Sequence, residues 1–130
     1  MKSILYVALG AALGGVARYL IGPLIQRHVT GTFPAGTLVI NITGSLLLGL
    51  LIRYALQADT MSPGLRLLLT TGFCGGYTTF SSFSYETAWL LQDREYAHAA
   101  LYVTMSVGLS LLATFAGFMA ADQLVALRQR

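Results

Sequence analysis

Apolar residues fill four long stretches, at about 4–25, 36–56, 65–91 and 97–124, and polar residues gather between them. A bilayer core takes about 20 mostly apolar residues as one helix. Each stretch therefore predicts one membrane span. The connectors are short. One holds His28, Thr30, Gly31, Thr32 and Pro34, the next Asp59, Thr60, Ser62, Pro63 and Gly64, and the third Gln92, Asp93, Arg94 and Glu95. The pattern predicts an all-α membrane protein, a single transmembrane domain over 1–130, with little chain left for a soluble catalytic unit. The opening MKSILYVALGAALGGVARYL begins like a secretory signal, with one Lys before an apolar run. No polar cleavage region follows, and Arg18 and Tyr19 lead into more apolar sequence, so it reads as the first span.

Composition sharpens the class. Hydrophobic residues make up 55% of the 130 positions and charged residues only 10%, against about 25% charged in a soluble domain. That leaves too little charge to cover a water-exposed surface. The net charge is +3, but the basic residues are scattered singly rather than gathered on a face or arm, so no nucleic acid partner is expected. Cys74 is alone, which excludes an intrachain disulfide, and no His or Cys cluster surrounds it. Four spans place both termini on one side with Lys2, Arg53, Arg66, Arg128 and Arg130. The other side carries Arg27 and Arg94, plus Arg18 if it reaches that way. This bias is small, so the positive-inside rule gives only a weak orientation and leaves insertion both ways open. Small residues spaced by four, Gly10 with Gly14, Ala11 with Gly15 and Gly72 with Gly76, suit close helix contact within or between chains. Oligomerisation is the expected use, because four helices alone have no obvious interior for a solute path.

The polar residues inside the spans carry the chemistry. An ionisable side chain at a span's centre costs at least ~2.5–3.5 kcal/mol and is a functional candidate. Arg18 and Glu86 qualify. Arg18 alternatively snorkels to the interface, and Glu86 alternatively serves as a structural acceptor. Asn41, in GTLVINITG, offers an amide either to lock helix packing or to face a pore, and Thr37 lies one turn earlier on the same face. In the fourth stretch His98, Tyr102, Ser106, Ser110 and Thr114 recur every four residues and line one helix face. Lone hydroxyls in membrane helices usually bond back to their own backbone. Five polar residues in register make a hydrogen-bonding track, whose hydroxyls donate to an anion without full charges.

The third stretch, GFCGGYTTFSSFSYE, is written in poor helix formers. Gly72, Gly75 and Gly76 each weaken a helix by about 1 kcal/mol relative to Ala. Thr78, Thr79, Ser81, Ser82 and Ser84 compete for the backbone. Together they predict a break near Gly75–Thr79. Freed carbonyls at membrane depth are tolerated only inside protein or beside a cavity. If convergent they suit a hard cation, and half-helix ends near the midplane recur at ion sites. Phe80 and Phe83 follow on one face. Phenylalanine edges are electropositive, and two edges turned to a pore can help hold a dehydrated anion.

These residues resemble the Fluc (CrcB) fluoride channels. The resemblance rests on GTLVIN-x-x-G in the second span and on G-x-C-G-G-x-T-T-F-S-S-F-S-x-E in the third. The first span's G-x-x-x-G-G-x-x-R-Y is also similar, and the likeness covers essentially the whole chain, with only conservative swaps in the third span, such as Ser82 where Thr is common. It implies a dual-topology homodimer of antiparallel subunits in the cell inner membrane, with two fluoride pores and a central structural sodium. By motif position the sodium is held by backbone carbonyls of Gly75 and Thr78 from both subunits. Phe80 and Phe83 form the aromatic boxes, Asn41 lines the pore, and Tyr102, Ser106 and Ser110 form the polar track. Thr37, Ser82, Glu86 and Arg18 stand as further pore or support residues. The implied activity is passive fluoride export with no enzyme chemistry. Amide, hydroxyl and ring-edge donors replace water around a strongly hydrated ion without holding it too tightly. A small proton-coupled exporter needs a central membrane carboxylate, whereas Glu86 lies near a span's end. A non-transporting membrane subunit has no need of the Asn41, hydroxyl and Phe arrangement.

Overall fold

The computed structural model describes residues 1–58 and 61–128; Asp59 and Thr60 of the second connector, and Arg130 of the charge count, lie outside them. Among the described residues every regular element is helical. α1 runs Lys2–Gln26 and α2 runs Ala35–Ala58. α3 (Pro63–Leu67) passes into a π-helical segment, Leu68–Cys74, and closes with the short α4, Gly75–Tyr77. α5 (Phe80–Gln92) and α6 (Tyr96–Arg128) complete the chain.

Three helices, Lys2–Gln26, Ala35–Gln57 and Tyr96–Arg128, are long and apolar enough to cross a membrane. They correspond to the first, second and fourth expected spans. The third is built from two half-helices. At 1.5 Å per residue, the 33 residues of α6 extend about 50 Å. That exceeds a hydrocarbon core of ~30 Å, so its ends project past the apolar zone. Near one end Asp122 accepts from Arg53 Nε at 2.8 Å and Gln57 Nε2 at 2.7 Å, tying α6 to α2.

Local chemistry sets the boundaries. Ser62 caps α3 by accepting from Leu65 N at 3.3 Å, and Pro63, which has no N–H to lose, opens it. The break itself is two residues long. Thr78 (φ −77°, ψ 160°) and Thr79 (φ −151°, ψ 116°) are both extended. Thr79 then restarts the chain as the N-cap of α5, its Oγ1 accepting from Ser82 N at 3.1 Å.

This narrows the expected break and corrects its cause. Gly72, Gly75 and Gly76 are all helical. Two of them permit close packing instead: a Cβ on Gly76 would lie 2.5 Å from Ala11 O, and one on Gly72 2.9 Å from the Gly10 Cα. The small-residue pairs expected to serve oligomerisation are mostly used inside the chain. Gly10 and Gly14 of α1 abut the backbone of the π segment, and Ala11 abuts Gly76; only Gly15 faces open space. α2 and α6 pack by the same means. A Cβ on Gly49 would lie 2.5 Å from Thr114 O, and one on Gly117 2.7 Å from Leu50 N. The small buried core is Leu38, Leu90, Ala99 and Tyr102, with Phe33, Ile42, Phe83 and Met105 packed around it.

Candidate functional site

Two helices position the break. Asn41 of α2 holds Thr79 from both sides: its Nδ2 donates to Thr79 O at 3.1 Å, and Thr79 N donates to its Oδ1 at 2.8 Å. Arg18 of α1 donates from Nη1 to Thr78 O at 3.3 Å. Arg18 is therefore turned into the protein rather than snorkelling outward. Both residues satisfy backbone groups that the interrupted helical ladder leaves free.

Beside the break lies a cavity of about 270 Å³ lined by Asn41, Ser45, Leu48, Thr78, Thr79, Phe80, Phe83, Ser106, Val107 and Ser110. It gathers most of the expected pore residues. Among the described residues, the hydroxyls of Ser106 and Ser110 are buried with no hydrogen-bond partner. An unpaired buried hydroxyl costs free energy unless something occupies its lone valence. Asn41 keeps one N–H beyond its pair with Thr79. The Phe80 and Phe83 rings stand 5.6 Å apart and tilted by 45°.

A second cavity, about 460 Å³, is lined by Gly22, Pro23, Gln26, Arg27, Gly36, Thr37 and Glu86. Glu86 accepts from Thr37 Oγ1 at 2.7 Å and from Tyr102 Oη at 2.6 Å. Both are short, as hydroxyl bonds to a carboxylate are. Phe83 and Tyr102 join the two cavities, with ring centroids 5.3 Å apart. A continuous line of contacts thus runs Phe80, Phe83, Tyr102, Glu86, Thr37.

The four-residue stripe of α6 divides by environment. Ser106 and Ser110 reach the first cavity. Tyr102 is fully buried and holds Glu86 instead of lining that cavity. His98 is half-exposed beside Glu95. Thr114 bonds back to Ser110 O at 3.0 Å, the ordinary fate of a helix threonine. Ser82 does not line the first cavity either; its hydroxyl accepts from Thr79 Oγ1 at 3.0 Å within the α5 cap. Thr78 is the first residue of the break, and Gly75 opens the short helix before it, exposed with nothing within 4 Å of a Cβ position. Sequence reasoning missed Ser45 and Gln26. Ser45 lies four residues after Asn41, the spacing that places it on the same face. Gln26 left no such mark: its amide ties the chain turn by donating to Phe33 O at 3.0 Å and accepting from Gly36 N at 3.1 Å.

Residues 5–118 match the family described as CrcB-like protein, Camphor Resistance (CrcB). The chain belongs to the CrcB family. Among curated relatives, a "Fluoride-specific ion channel FluC" of Flavobacterium psychrophilum is 48% identical over 124 residues, 95% of this chain and 100% of that one. A protein of the same name from Geobacter sulfurreducens is 50% identical over 124 residues, with the same coverage. One from Chlorobaculum tepidum is 46% identical over 121 residues, 93% of this chain and 95% of the relative. The likeness to these CrcB proteins extends over the break, both cavities and the helices that frame them.

Proposed function

We propose that this CrcB protein is a fluoride channel that lets cytoplasmic fluoride leave down its electrochemical gradient. The observation that carries the reading is the pair of buried, unpartnered hydroxyls, Ser106 and Ser110, in one cavity with Asn41 and the Phe80 and Phe83 rings. These groups are donors or electropositive edges, and none carries a full charge. That chemistry suits a small dehydrated anion which must bind and then leave. The names of the relatives identify that anion as fluoride. The line from Phe83 through Tyr102 to Glu86 and Thr37 continues the route to the second cavity.

The working unit in this reading is two antiparallel copies in the cell inner membrane, each crossing it four times. The lone chain leaves Phe80, on the wall of the candidate pore, 79% exposed, and leaves the Gly75 face open. A second copy covers them. The same axis suits a structural sodium. The helix end at Tyr77 frees the Gly75 carbonyl from its usual donor four residues on, because Thr79 N is turned to Asn41. Hard cations take several oxygen ligands. One chain supplies Gly75 O and Thr78 O, and a second copy doubles the set. Thr78 O already accepts from Arg18, so Arg18 has to share or yield that oxygen to the ion. Bound there, the sodium would supply fixed positive charge and join the two copies.

Purified protein in liposomes tests the reading. Fluoride should leave on its own gradient, with chloride strongly excluded and no proton gradient required. Well-folded protein that passes no fluoride overturns it. Transport that runs only with a proton gradient selects the exporter instead.

A further inference from the structure

We infer that Ser45 is an ion-contacting residue of the first cavity, whose hydroxyl joins that of Ser110 to carry the anion one helical turn beyond Asn41. The inference rests on the channel reading above and adds a donor to it. Hydroxyls of Ser and Thr in apolar helices ordinarily bond back to their own backbone. Most in this chain do. Thr43 donates to Val39 O at 2.7 Å, Thr70 to Arg66 O at 2.7 Å, Thr87 to Phe83 O at 2.8 Å and Thr114 to Ser110 O at 3.0 Å. Thr37 and Ser82 bond to side chains, Glu86 and Thr79. Among the described helix residues that are not exposed, the Ser and Thr hydroxyls left without a hydrogen bond are those of Ser45, Ser106 and Ser110. All three line the first cavity.

Helix register groups these hydroxyls into levels. α2 and α6 lie side by side with their residue numbers rising together: Gly49 abuts Thr114, and Arg53 binds Asp122. Ser45 and Ser110 each precede the Gly49–Thr114 contact by four residues, and Asn41 and Ser106 each precede it by eight. Four residues are about 6 Å along a helix. Donors therefore stand at two levels, Asn41 with Ser106 and then Ser45 with Ser110. At the first level the carboxamide keeps an N–H beyond its pair with Thr79. The second level has no carboxamide. Past it α2 contributes Leu48 to the wall, and Thr114, next in the α6 stripe, has bonded back. Without Ser45, Ser110 would be the sole donor that α2 and α6 bring to that level. A strongly hydrated anion gives up its water only where several donors replace it. Ser45 is half-buried, and its single O–H is free to turn to the ion.

Fluoride efflux from liposomes and thermal unfolding in detergent, measured on the same preparations of the full chain, test the role of Ser45. Ser45→Ala should unfold at the wild-type temperature, because its hydroxyl leaves no protein partner behind, and should lose about three- to tenfold in flux. Ser45→Thr keeps a hydroxyl and should stay within about twofold of wild type. Thr87→Val removes a hydroxyl that bonds back and lines neither cavity, and should keep wild-type flux. Wild-type flux from Ser45→Ala, or a threonine variant as slow as the alanine one, overturns the inference and leaves the channel intact. Thr87→Val falling as far as Ser45→Ala does the same, because any lost helix hydroxyl would then lower flux. An alanine variant that unfolds well below wild type assigns the hydroxyl to packing and also overturns it. Wild-type protein that passes no fluoride overturns the channel reading and this inference with it.

Discussion

Asn41 and Thr79 exchange two hydrogen bonds, as facing residues of neighbouring strands do. The amide nitrogen donates to the Thr79 carbonyl at 3.1 Å, and the Thr79 N–H donates to the amide oxygen at 2.8 Å. One side chain thereby stands in for the helical ladder at the point where α4 gives way to α5. Only a carboxamide supplies donor and acceptor together at this reach. The pair makes Asn41 a clamp as well as a candidate pore donor.

Replacing Asn41 separates those roles. Asn41→Ala leaves the buried Thr79 with its N–H and carbonyl unpaired, at about 1–3 kcal/mol for each. Thermal unfolding in detergent should shift down accordingly, and fluoride flux should fall with it. Asn41→Asp keeps an acceptor for Thr79 N but sets a carboxylate oxygen against Thr79 O. It should lose flux while unfolding at or above the temperature of the alanine variant. An alanine variant as stable as wild type would show that the pair does not hold the break.

The two serines of the first cavity should behave in the opposite way. Ser106 and Ser110 have no protein partner for their hydroxyls, so removing them leaves no other group unsatisfied. Ser106→Ala and Ser110→Ala should leave stability unchanged or slightly raised. A donor to a charged group contributes about 1.5–3 kcal/mol, so each variant should lose about tenfold or more in fluoride flux. The check is flux and unfolding measured on the same preparations. Normal flux from the double variant would remove these hydroxyls from the pathway.

How much of this was legible in the sequence depends on what each residue's role required. Period and hydropathy are enough to place three intact helices and an interrupted one, because a span's length and composition are properties of the segment itself. The break was visible as a cluster of Gly, Thr and Ser, but its position was not. Glycine preference is local, whereas the π segment and the packing of Gly72 and Gly76 on α1 are set by a partner helix. The even spacing of the α6 stripe likewise predicted a shared face but not four different surroundings along it. Tyr102 is turned from the first cavity by Glu86, sixteen positions away, and no periodicity records such a pair.

Glycine substitutions distinguish contacts within the chain from contacts between copies. A Cβ on Gly10 would lie 2.8 Å from Phe73 N and 2.9 Å from the Gly72 Cα, both backbone atoms that cannot turn aside. Gly10→Ala should destabilise by about 1–3 kcal/mol, as overpacked cores do, and lower the yield of folded protein. Gly75 has nothing within 4 Å of the added carbon. Gly75→Ala should fold normally as a chain yet shift the population from dimer to monomer on size exclusion. An unchanged dimer fraction would move the partner contact away from the Gly75 face.

The aromatic pair is tested by size-matched replacement. Phe80 and Phe83 stand 5.6 Å apart at the edge of the first cavity, and Phe83 also packs on Tyr102 at 5.3 Å. Phe80→Ile and Phe83→Ile keep an apolar side chain but remove the electropositive ring edge. Edge contacts of this kind are worth about 0.5–1.5 kcal/mol, so flux should fall by about three- to tenfold in each variant while the dimer persists. Phe83→Ile should be the less stable, because it also loses the packing on Tyr102. Unchanged flux in both variants would assign the rings to packing alone.

Orientation can be read directly in cells. Four crossings would put Lys2, Arg53, Arg66 and Arg128 on one side, with Arg27 and Arg94 on the other. Arg18 is turned into the protein on Thr78 O and adds to neither side. The excess of two basic residues on one side is still small. Insertion should accordingly be mixed, with paired reporters on the C-terminus showing both compartments in one population. Adding two lysines to the 92–95 connector should drive most copies to a single orientation and reduce fluoride flux, because antiparallel partners become scarce. A single orientation in the wild-type chain, with flux intact, would replace the antiparallel dimer by a parallel one.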